Sequence, residues 1–150
     1  MSLLVERLDN DFKAALKAKE ANKLSVLRLV RSAIKNLEIS KQAAAGDEDI
    51  IAILQREIKQ HKETIESLKK ANRGADIAGQ EAEVALLQTY LPPALSLDEL
   101  KDVVTKAIGL TGASSISDMG KVMGQVMSQV KGRATGDEVG QMVRDLLQAK

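Results

Sequence analysis

Cysteine is missing from this chain, and with it disulfides, thiolate nucleophiles and cysteine-ligated zinc or iron–sulfur centres. Aromatic residues are nearly missing too: there is no tryptophan, and Phe12 and Tyr90 stand alone. The core must therefore be aliphatic, and the aromatic platform on which many single-strand binders stack bases cannot be built. A nucleic acid would have to be held by its backbone or its shape. No segment has the unbroken apolar length needed to cross a bilayer, and the opening MSLLVERLDNDF lacks a basic stretch followed by an apolar run. A cytoplasmic protein without a membrane partner is the expectation. An excess of either charge is also absent, with 22 Lys plus Arg against 21 Asp plus Glu. Such balance gives no global attraction to polyanions, so only local patches count and DNA binding is not expected.

What the chain does have is helical periodicity from end to end. At 150 residues, 44% apolar and 29% charged, it is long enough to bury a core and too apolar for wholesale disorder. Leu4, Leu8, Phe12, Ala15 and Leu16 recur at three- and four-residue steps, the period of an amphipathic helix. Leu24, Leu27, Val30, Ile34 and Leu37 mark a second helix with Gly46 as its stop; no Gly or Pro separates it from the first. Asp47, Glu48 and Asp49 suit the amide-rich start of a third helix, whose stripe runs through Ile50, Leu54, Ile58, His61, Ile65 and Leu68. Its roughly 25 residues would form a rod of about 37 Å. A fourth helix spans about Ala75 to Leu91 and is stopped by Pro92-Pro93, which marks the domain boundary.

Beyond that boundary, Ser96 with Glu99 fits a capping box opening a helix closed by Gly109 and Gly112. A helix from Met119 to Val130 follows, and Thr135 with Glu138 repeats the capping spacing before the last one. The fold class is all-α, with no convincing strand. A four-helix N-terminal body with a long helical hairpin, residues 1–92, precedes a small three-helix module, residues 93–150.

Few constellations carry chemistry. No P-loop, dinucleotide fingerprint, zincin motif or nucleophile elbow occurs, so no catalytic residue, cofactor or metal ligand is assigned. His61 is the single histidine; Glu57, one turn earlier, could share a bond or a metal with it, but two ligands make no convincing site. Arg28, Arg31 and Lys35 share one helical face and could track phosphates; the alternative is a solvated face paired to Glu38 and to acids on a neighbouring helix. Lys69, Lys70 and Arg73 suit a helix C-terminus on stability grounds alone. Met119, Met123, Met127 and Met142 are spaced as core residues, though methionine also lines adaptable surfaces.

The segment from Gly120 to Gly124 is more informative. Glycine costs about 1 kcal/mol relative to alanine inside a helix, so two of them four apart call for a compensating close approach. Either a neighbouring helix packs there, or a nucleic-acid backbone or protein partner does. Lys121, Lys131 and Arg133 place positive charge at the two ends of that face, and the Gly132 turn leaves amides for an anion.

The opening Leu4 with Leu8, the run from Leu24 to Asn36, the Glu57-Ile58-Lys59-Gln60 stretch, Glu83 through Pro92, Asp118 to Gly124, and Lys131-Gly132-Arg133-Ala134 together resemble the bacterial YqeY-like family. The segments occur in order along essentially the whole chain. The resemblance implies a helical body joined to a module similar to the tail of the B subunit of the tRNA-dependent amidotransferase. That tail contacts tRNA while the chemistry occurs elsewhere, and a related module is appended to some glutaminyl-tRNA synthetases. It implies a non-catalytic accessory protein that binds tRNA, or a tRNA synthetase or amidotransferase. The contact candidates are Lys121, Gly124, Lys131, Gly132 and Arg133, with Arg28, Arg31 and Lys35 also shared with the family. The amidotransferase's catalytic domains are absent from the chain. Carbon–nitrogen ligase activity with glutamine as amide donor would therefore describe the module's context rather than a reaction of this chain. The alternative is a protein–protein interaction module that binds no RNA.

Overall fold

A computed structural model describes residues 2–149, which form seven α-helices and one short 3-10 turn, with no strand among them. They fall into two compact units, Met1–Leu91 and Pro92–Lys150.

The first unit comprises α1 (Leu3–Ala18), α2 (Ala21–Lys41), α3 (Asp47–Lys70) and α4 (Gly74–Gln88). Leu8 and Ala15 of α1, Leu27, Val30 and Ile34 of α2, and Ile50, Leu54, Ile58 and Ile65 of α3 interlock with Val84 and Leu87 of α4. The 24-residue α3 is about 36 Å long at 1.5 Å per residue and forms a hairpin with α4. Its first turn is held by Asp49, whose carboxylate accepts from Lys41 Nζ at 2.7 Å and from the Gly46 N–H at 3.0 Å. The Lys41 bond and then the Gly46 amide keep that carboxyl below the usual aspartate range.

Two boundaries of this unit differ from the sequence-based expectation, and a third that the sequence left open is settled. Helix α2 stops at Lys41, where Gln42 takes a left-handed conformation at φ 54°; Gly46 instead precedes α3 as its N-cap. Between α1 and α2 the chain breaks rather than bends, with Lys19 left-handed at φ 56° and the Glu20 N–H returning to the Ala15 carbonyl. Helix α4 ends at Gln88, three residues before Leu91, and a turn through Thr89 carries Tyr90 into the core at 3% exposure. There the Tyr90 hydroxyl donates to Asp11 of α1 at 2.5 Å, and the Arg7 guanidinium lies 4.6 Å from the ring centre. Burial, followed by the Asp11 bond, pushes the phenol well above the ordinary tyrosine range.

The second unit holds α5 (Leu97–Thr111), α6 (Met119–Val130) and α7 (Gly136–Gln148) around Leu100, Val104, Ala107, Val122, Val126, Val139, Val143 and Leu147. The Ser96–Glu99 capping box forms in both directions, at 3.1 and 2.9 Å, and the Ser96 amide holds the Glu99 carboxyl below its usual range. Gly109 does not end α5. It lies within the helix, and Gly112 closes it with φ +67°, a conformation open to glycine without strain. The four methionines pack half-buried against this core, in line with their spacing.

Candidate nucleic-acid interface

Helix α6 is positioned by its valines. Val122, Val126 and Val130 are at most 1% exposed, so the opposite side of the helix must face outward. That outer side carries Gly120, Lys121, Gly124 and Ser128, all exposed. A Cβ built at Gly120 or Gly124 would meet no packed neighbour within 4 Å, whereas one at Gly140 of α7 would meet the Met119 methyl at 3.5 Å. Packing inside the module therefore does not account for the two α6 glycines. Lys121 also lies near Asp118, whose carboxylate accepts from the Ser114 amide at 3.0 Å and is held below its usual range by that bond first.

At the far end of α6, Lys131 is exposed while Gly132 and Arg133 are half-buried. Gly132 has φ +80°, a conformation that glycine adopts without strain, so the turn itself accounts for it. Arg133 has a structural task that the sequence did not announce: its Nε donates to the Pro93 carbonyl at 2.8 Å, and its own carbonyl accepts the Leu95 N–H at 2.9 Å. The Thr135 hydroxyl oxygen then accepts the Glu138 N–H at 3.1 Å to start α7.

Arg28, Arg31 and Lys35 sit in the other unit, exposed on α2. Arg31 Nε donates to Asp9 of α1 at 3.1 Å, and its guanidinium carbon lies 4.2 Å from the Phe12 ring centre; Arg28 is 5.9 Å from the same ring. Glu38 accepts the Ala45 N–H at 2.9 Å. Pairing with an acid on a neighbouring helix thus holds for Arg31. His61 turns to α4 and not to Glu57: its Nδ1 is 2.7 Å from Gln80 Oε1 and 3.1 Å from Glu83 Oε2. Both neighbours are acceptors, so Nδ1 carries the proton. Among the described residues no three or more His, Cys, Asp or Glu side chains gather as a metal site.

Known proteins share this architecture's sequence. The profile of the Yqey-like protein family matches residues 5–147. The chain belongs to that family. Its similarity extends to three fungal proteins, each named Altered inheritance of mitochondria protein 41, mitochondrial. The one from Vanderwaltozyma polyspora is 38% identical over 66% of this chain and 55% of its own length. The one from Pyrenophora tritici-repentis is 28% identical over 81% of this chain and 70% of its own. The third, from Lachancea thermotolerans, is 34% identical over 58% and 47%. The match thus spans about half the length of two of these relatives. Their names correct the expected compartment: these relatives are mitochondrial proteins, and the cytoplasmic expectation does not stand. The physical reason is that helical pattern and the lack of a bilayer-length apolar run constrain the fold, not the compartment. No described helix is long and apolar enough to cross a membrane.

Proposed function

We propose that this chain is a non-catalytic accessory protein whose C-terminal unit contacts folded RNA, tRNA in particular, through the outer side of α6. The observation that carries this reading is the open backbone at Gly120 and Gly124, where a side chain would meet no packed neighbour within 4 Å. Glycine at an exposed helical position costs stability and gains nothing from internal packing, so its use fits an outside partner brought close to the backbone. Lys121 and Lys131 supply charge along that side, and Arg133 adds to it at the turn. Phosphate and ribose contacts suit a surface that offers no aromatic stacking. The resemblance of this unit to the tail of the amidotransferase B subunit supports the same assignment. A tRNA synthetase or amidotransferase would then be a functional partner through shared tRNA.

Filter binding of the full chain to total tRNA across a salt series tests the reading. Affinity should fall steeply with salt, and replacing Lys121 and Lys131 by alanine should weaken binding and flatten the slope by roughly one for each phosphate no longer neutralised. Retention equal to that of an acidic control protein at low salt sinks it. The same glycine face would also accept a protein helix; complexes recovered equally with and without RNase treatment would favour that second reading.

A further inference from the structure

The geometry points to a second, separate site: we propose that the groove between α1 and α2 binds a phosphate monoester carrying an apolar or heteroaromatic body, such as a nucleotide. The groove has a volume of about 520 Å³, within the range of roughly 300–1,000 Å³ that small-molecule sites occupy. It lies in the N-terminal unit and does not depend on the RNA reading of α6.

Three parts of the groove have distinct chemistry. Its apolar wall is Val5, Leu8 and Ile34, with Leu8 at 1% and Ile34 at 7% exposure. Leu8 and Ile34 are already sealed, so a ligand body seated there would rest chiefly on half-buried Val5. Its donor row is Arg28, Ser32 and Lys35, which line the groove at positions i, i+4 and i+7 of α2 and so share one face. Ser32 sits between the two cations, each of which is within about one turn of it. A phosphate placed over Ser32 would meet a guanidinium fork on one side, an ammonium on the other and a hydroxyl beneath.

The third part is the charge balance. Asp9 and Glu38 also line the groove, but Asp9 is engaged by Arg31 and Glu38 by the Ala45 amide. Arg28 and Lys35 make no ion pair or hydrogen bond among the described residues; Arg28 is drawn only toward the Phe12 ring. With Arg31 also in its lining, the groove sets three cations against two carboxylates, and this positive balance beside an apolar wall favours an anionic head on an organic body over a neutral ligand.

Methyl and amide NMR on the full chain reads the site directly. The probes are adenosine monophosphate, adenosine, and a 5′-phosphorylated trinucleotide. Adenosine monophosphate should shift the methyls of Val5, Leu8 and Ile34 together with the amides near Ser32, and adenosine should bind markedly more weakly. Arg28→Ala and Lys35→Ala should each weaken binding roughly tenfold or more, since a charge-assisted hydrogen bond is lost. Asp9→Asn should act in the opposite direction, because it removes a lining carboxylate and frees Arg31, which also lines the groove, from its ion pair. Tighter binding of the mononucleotide assigns a free small molecule, and tighter binding of the trinucleotide assigns an RNA terminus. No shift of the three methyls with either phosphorylated probe at millimolar concentration overturns the site. So does equal binding of adenosine, or affinity unchanged in both alanine variants.

Discussion

Arg133 and Pro93, forty positions apart, are joined by a 2.8 Å bond from the guanidinium Nε to the proline carbonyl. Together with the 2.9 Å bond from the Leu95 N–H to the Arg133 carbonyl, it clips the segment leading into α5 onto the turn between α6 and α7. Arg133 is therefore a structural residue as well as a candidate RNA contact, and the two roles separate by experiment.

Arg133→Ala should lower the stability of the chain in urea unfolding by about 1 kcal/mol, the worth of one partly exposed charge-assisted bond. Arg133→Lys keeps the charge but not the Nε geometry, so it should restore tRNA affinity while leaving stability low. Equal rescue of both properties by lysine would show that the Pro93 bond contributes nothing measurable.

Gly124→Ala should stabilise the protein by roughly 0.5–1 kcal/mol, because the helix interior favours alanine and the added methyl meets no packed neighbour within 4 Å. Gly120, in the first turn of α6, should gain less. If the α6 face seats RNA, both substitutions should weaken tRNA binding while raising the unfolding midpoint. A stabilised variant that binds as well as the parent would remove α6 from the interface.

Tyr90 is the one tyrosine, so the alkaline phenolate absorbance of the native protein reports on it alone. Its folded pKa is raised, so the stability it contributes is complete below the unfolded value of about 10 and is lost as pH rises above it. The phenol should ionise only as the N-terminal unit unfolds. The stability difference between parent and Tyr90→Phe should shrink above that pH; an early titration in the intact fold would show that the ring is not buried and bonded to Asp11 as described.

At the acid end the sign is reversed. Asp49, Glu99 and Asp118 all have lowered folded pKa values, from bonds to Lys41, Ser96 and Ser114 respectively. Their contribution is present above the unfolded carboxylate range near about 4 and is lost as pH falls through the folded values. The triple amide variant should show a shallower loss of stability on acidification than the parent, followed by circular dichroism.

Much of the architecture is legible in the residues because its signals are local. The Ser96–Glu99 box, the acids opening α3 and the Thr135 cap each act within one turn, where residue type and spacing suffice. Boundaries lacking such signals are not legible in this way. Gly46 and Gly109 have the residue type of helix stops, yet the chain turns at Lys19 and Gln42, residues not ordinarily chosen for a left-handed backbone. At Gln88 the α4 helix ends early because Tyr90 has a place in the core, which its position before Pro92 does not reveal.

The residues alone determined that this protein is all helix with aliphatic cores, since a 3.6-residue apolar period with almost no aromatic side chains permits little else. Only the tertiary structure decided how its polar groups pair: Arg31 with Asp9, His61 with Gln80 and Glu83, Tyr90 with Asp11, and Arg133 with Pro93. Those partners lie 22, 19, 22, 79 and 40 positions apart, in that order. Hydrogen bonds and ion pairs act over a few ångströms, so which groups meet depends on how helices are set against one another, and no one-dimensional period encodes that.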